Sequence, residues 1–155
     1  MNLLRTIVFT TAALISTGIH AQRQPVPIVN HENMAVVTRS GNAVTAEQVK
    51  KAIMDGAVAG KRRWDIAHTA AGKVQATYRV RTHTIVTEIE NTATTYSIRY
   101  VSSINMKYEV AQPSQQFSTT SPAISYKEGT PLIHPFYNTW VQELIEAIRG
   151  EMLKL

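Results

Sequence analysis

From Val74 to Tyr100 apolar and polar residues alternate, and from Tyr137 to Met152 apolar residues return every three or four positions. The first rhythm places successive side chains on opposite faces of a strand; the second lines one face of a helix. Val74, Ala76, Tyr78 and Val80 alternate with Gln75, Thr77, Arg79 and Arg81. Ile85, Thr87 and Ile89 lie opposite Val86, Glu88 and Glu90, and Tyr96, Ile98 and Tyr100 opposite Ser97 and Arg99. Polar joints at Thr82-His83 and over 91–94 are of hairpin length. Trp64 to His68, ahead of the turn residue Gly72, predicts a further strand. Pairing Val80 with Ile85, Tyr78 with Thr87, Ala76 with Ile89, and Ile89 with Tyr96 sets apolar face against apolar face. A slip of one residue would turn every such side chain to water, so the pattern constrains the register. On the other face Glu88 would lie diagonal to Arg79 and to Arg99. The expectation is an antiparallel sheet of about four strands with one apolar and one charged face.

Two helices flank it. Thr45 and Gln48 match a capping box, in which each side chain satisfies the other residue's backbone N–H. Val49, Ala52, Ile53, Ala57 and Val58 follow at helical spacing and Gly60 closes the run, which predicts a helix over 45–59. His134-Pro135 opens the second, with Pro135 suited to a first turn. Tyr137, Trp140, Val141, Leu144, Ile145, Ile148 and Met152 form its apolar stripe, and Gln142, Glu143, Glu146 and Arg149 its outer face, over about 135–153.

The remaining mature chain is irregular. Residues 22–44 contain Pro25 and Pro27, which exclude a central strand, and read as an extended arm with an edge strand at 34–38. Residues 111–131 are rich in Gln, Ser, Thr and Pro and read as a flexible loop with a short strand at 123–127. Residues 45–155 then form one α+β domain, in the order α-β-β-β-β-α. The simplest architecture is a two-layer sandwich with both helices on the sheet's apolar face.

Residues 1–21 change the picture. Arg5 precedes an apolar run from Thr6 to Ile19, and Ala21 ends it before Gln22-Arg23-Gln24. That order is the secretory signal pattern, too short for a membrane span, and predicts a periplasmic or secreted protein cut near Ala21. The chain of 155 residues carries a formal charge of +5, one unit lower once Arg5 is removed. Such an excess suits anionic partners without choosing among them. Cysteine is absent, which excludes disulfides, thiolate nucleophiles, Cys-ligated metal sites and the anchor of a lipoprotein.

Candidate chemistry is sparse. His31, His68, His83 and His134 show no helical ligand spacing, so no metal and no cofactor is expected. Ser102 and Ser103 lack a nucleophile elbow. Glu88 and Glu90 share a strand face, but beside arginines both should stay ionised, unlike a glycosidase pair. Lys61-Arg62-Arg63 before Trp64 reads either as a grip on an anion with Trp64 stacking nearby or as a solvated helix end.

Arg62-Arg63-Trp64, Arg81-Thr82-His83, Tyr96-Ser97-Ile98-Arg99-Tyr100, Ser103-x-Asn105-Met106-x-Tyr108 and Ile133-His134-Pro135-x-Tyr137-Asn138-x-Trp140-Val141 follow in that order. In these motifs, across most of residues 45–153, the chain resembles a family of small exported proteins and lipoproteins of Gram-negative bacteria. The resemblance implies envelope location and no particular activity. Ser103 and Asn105 suit backbone hydrogen bonds in a turn, and Tyr137 and Trp140 suit burial. Asn105, Tyr108, His134 and Asn138 are candidates to converge in a polar pocket. Candidate binding residues are therefore Trp64, His83, Ser103, Asn105, Tyr108, His134, Tyr137 and Asn138, with no catalytic set. The favoured function is a non-catalytic module binding an envelope protein, peptide or glycan, not nucleic acid. A small hydrolase or isomerase using Ser103, Asn105, His134 and Asn138 is the alternative, and a homodimer through the sheet's edge or charged face is a third reading.

Overall fold

A computed structural model describes residues 23–69, 72–113 and 125–155. The leader expected over 1–21 lies outside them, as does the part of the expected loop from 114 to 124. Residues 125–127, the described part of the strand expected at 123–127, are not in a strand.

The elements are β1 (Val26–Pro27), β2 (His31–Ala35), α1 (Ala46–Ala59), β3 (Asp65–His68), β4 (Val74–Val80), β5 (His83–Asn91), β6 (Thr95–Ile104), β7 (Glu109–Val110), β8 (Pro131–Ile133) and α2 (Phe136–Met152). They form an α+β fold. Five antiparallel strands make the main sheet in the order β2-β6-β5-β4-β3, and β1-β8-β7 make a smaller one. The main sheet has one strand more than expected because the arm supplies β2, at 31–35 and not at 34–38. The strands of the small sheet are two or three residues long, too short to leave an alternation in the sequence.

The hairpin register differs from the expected one by two residues. Tyr78 lies opposite Ile85, Ala76 opposite Thr87 and Val74 opposite Ile89; Ile89 in turn faces Ile98, and Tyr96 faces Asn91. Between β4 and β5 the cause is the turn, which is Arg81-Thr82 and not Thr82-His83, with Arg81 at φ 53°. Two-residue turns with positive φ match strand twist and close hairpins tightly. A shift of two preserves the faces, so the apolar side remains the apolar side.

Thr45 caps α1 through the expected box: its hydroxyl accepts from Gln48 N at 3.2 Å, and Gln48 Oε1 accepts from Thr45 N at 2.8 Å. Val49, Ala52, Ile53 and Ala57 are buried, whereas Val58 points to solvent. All seven stripe residues of α2 are buried. The helices touch backbone to backbone, since a Cβ on Gly56 would lie 2.6 Å from Ile148 Cα. Together they roof the face carrying Val74, Ala76, Ile85, Ile89 and Ile98. Each fully buried isoleucine there stabilises the fold by about 1.5–3 kcal/mol through area removed from water.

The uncovered face is a chain of ion pairs. Glu32 on β2 receives two hydrogen bonds from Arg99 on β6, at 2.8 and 2.7 Å. Arg99 also pairs with Glu90 on β5, and Lys73 bridges Glu90 and Glu88 at 2.5 and 2.8 Å. Arg79 does not reach Glu88 as the expected register required; it pairs with Asp65 on β3 at 2.5 Å. Lys73 first and Arg99 second hold the Glu90 carboxyl below its ordinary value.

Candidate functional site

Three short connections meet at the end of the sheet where α2 begins. The β4–β5 turn and the turn after β6 are stitched together reciprocally. Asn105 Nδ2 donates to Thr82 O and His83 Nδ1 donates to Asn105 O, both at 2.8 Å. The β8–α2 junction joins them through His134 N, which donates to Met106 O at 2.8 Å. Arg81, Asn105 and Lys107 all have left-handed backbones here, at φ 53°, 56° and 51°. Such a conformation costs a non-glycine residue about 1–2 kcal/mol, so two cations and an asparagine are held where glycine would be cheaper.

The two imidazoles use Nδ1 in opposite roles. A carbonyl only accepts, so His83 donates from Nδ1. His134 Nδ1 accepts from Phe136 N at 3.2 Å, so its proton sits on Nε2. Partial burial, then Lys107, Arg23 and His83, push the His134 pKa below its ordinary value. The charged groups acting on this ring are all basic. Arg23 lies over the Phe136 ring, 4.5 Å from its centroid, and the His134 and Phe136 rings are 4.7 Å apart. Phe136 is itself exposed. The result is a half-exposed surface of cations and aromatic rings with no acid paired to Arg23 or Lys107 among the described residues.

The other expected residues divide. Ser103 bonds the Tyr100 hydroxyl at 3.0 Å and not backbone. Tyr100 stacks on the exposed Tyr108 at 5.5 Å and meets Tyr137 edge to face at 5.4 Å. Tyr137 is fully buried with no partner for its hydroxyl, and burial pushes its pKa up. It is a core residue, not a binding one. Asn138 turns away from the site: its Nδ2 donates to Pro27 O at 2.9 Å and its Oδ1 accepts from Val29 N at 3.1 Å, fastening the arm to α2. Ser103, Asn105, His134 and Asn138 therefore each engage different partners and form no hydrogen bond with one another.

Trp64 also needs correction as a stacking platform. It is 1% exposed and packs against Tyr78 at 5.4 Å, with its backbone N–H donated to Ala57 O at the end of α1. Lys61 and Arg62 are answered by Glu143 of α2, and Arg62 spreads over the Tyr78 and Trp140 rings. The site thus retains His83, Asn105, Tyr108 and His134 and gains Arg23, Lys107 and Phe136. Those three were missed because Lys107 and Phe136 occupy variable positions within their motifs and Arg23 is a lone cation. Among the described residues no group of His, Asp and Glu is placed to hold a metal, and no helix is long and apolar enough to cross a membrane.

Comparison with known proteins finds no family model that matches the chain and no significant match to a curated protein or a solved structure.

Proposed function

We propose that this protein is an exported module of the bacterial envelope that binds an anionic partner at the Arg23, His83, Lys107 and His134 surface and performs no chemistry on it. Export rests on the pattern of residues 1–21. Binding rests on one observation: the charges around the His134 ring are basic, and among the described residues no carboxylate pairs with Arg23 or Lys107. His134 Nε2–H is a ready donor, and the neighbouring cations favour an incoming negative charge. Phe136 and Tyr108 add exposed ring surface for apolar contact. The hydrolase or isomerase reading has less support, because the four side chains it needs are each engaged elsewhere.

A short polyglutamate is the direct probe. Calorimetric titration at low salt should show binding that Lys107→Glu weakens by about tenfold and that weakens steeply with added salt. Equal affinity in Lys107→Glu and the unaltered protein would refute the assignment.

A further inference from the structure

At the opposite end of α2 a second feature has no part in that reading. Met34, Ala35 and Val37 of the arm face Arg149, Met152 and Leu153 of the last helical turn across a groove of about 340 Å³. Val37 is 60% exposed and Leu153 42%, so apolar surface is left in water there. The groove has one charge on its wall. Arg149 forms no ion pair with any acid among the described residues, although most cations of the neighbouring sheet face are paired. Beside it the buried Tyr96 hydroxyl has no partner in good hydrogen-bond geometry, but Arg149 comes near enough to oppose, by polar contact and charge, the rise that burial imposes on its pKa.

The strand bordering the groove narrows the choice of occupant. β2 is an outer strand, and an outer strand can accept a peptide by adding it to the sheet. Its pairing with β6, however, is broken by an irregularity between His31 and Met34, with Asn33 at φ 50°. Bulged edges are poor templates for strand addition. Recognition is left to side chains: aliphatic and thioether walls, which adapt to a flexible chain, and one guanidinium suited to a carboxylate. We propose that the groove binds an aliphatic monocarboxylate, its chain between Met34, Val37, Met152 and Leu153 and its carboxylate on Arg149.

The test uses the protein labelled at its methionine methyl groups and titrated separately with decanoate, decanol and acetate. Decanoate should shift the Met34 and Met152 signals and leave that of Met106, buried at the other end, unmoved. Decanol and acetate should each bind about tenfold more weakly or less, since each lacks one of the two contacts. Arg149→Gln should bring decanoate down to the level of decanol, and Val37→Asp should abolish both. The proposal fails if decanoate leaves Met34 and Met152 unmoved, or if Arg149→Gln binds it as well as before. It fails equally if those signals move with protein concentration alone, which would mean a second copy covers the groove. None of these outcomes bears on the polyglutamate site.

Discussion

The open face of the sheet and the end of the sheet beside His134 are both rich in charge, and they differ in how that charge is answered. On the open face Glu32, Arg99, Glu90, Lys73 and Glu88 form a continuous chain of alternating sign, with Asp65 and Arg79 alongside. At the end, Arg23, Lys107 and two imidazoles gather with no acid paired to either cation among the described residues, and Lys107 sits in a left-handed turn. A compensated face needs nothing from outside the molecule. An uncompensated one costs the fold some self-repulsion, which an anionic partner relieves.

The largest effect available separates charge from packing on one strand. Ile89 and Glu90 are neighbours on β5 with opposite orientations; Ile89 is fully buried. Ile89→Ala should lower unfolding free energy by about 2–5 kcal/mol, the loss of buried methyl groups plus a residual cavity. Glu90→Gln should shift the urea midpoint far less, because exposed ion pairs contribute little. Comparable losses would mean that the ladder, and not the core, holds the sheet.

Asn138→Ala sharpens the comparison at the other region. The two hydrogen bonds from Asn138 fasten the arm that carries Arg23 over Phe136. Their removal should cost about 1–2 kcal/mol and speed hydrogen exchange at Val29. It should also weaken polyglutamate binding, while Glu32→Gln on the open face leaves that binding unchanged.

The smallest effect is the pH dependence of stability, which has two windows. His31 and His134 both have lowered folded-state values, chiefly through burial. The unfolded chain therefore binds their protons first, and stability falls as pH drops below about 6.5 toward the folded values. Glu32 and Glu90 are lowered by their cations, so their contribution is present above their ordinary value and is lost as pH falls through the folded ones. Chemical denaturation between pH 8 and pH 3 should show the histidine loss first; a flat profile down to pH 5 would remove the imidazoles from the account.

Much of this fold was legible because its central elements are long and regular. The stripe of α2, the Thr45–Gln48 cap and the alternation through β4, β5 and β6 each carry a period. The register was misjudged because the two-residue turn was centred on Thr82-His83 where the chain turns at Arg81-Thr82, a position the sequence marks only weakly without a glycine. β1, β7 and β8 escaped because strands of two or three residues carry no rhythm. Of the site, His83, Asn105, Tyr108 and His134 were legible as polar residues at element ends. Tyr137 was legible as buried from its place in the stripe of α2, whereas Trp64 was not, since an aromatic residue beside a turn reads the same whether it faces inward or out. The cationic character depends on Arg23, Lys107 and His134 meeting from distant parts of the chain, and only the fold brings them together.

The most direct measurement is the titration of His134 by NMR, with and without short polyglutamate. The account predicts a pKa below the ordinary histidine value in the free protein, rising when polyglutamate is added and rising also in Lys107→Glu without it. A His134 pKa that polyglutamate leaves unmoved would contradict it.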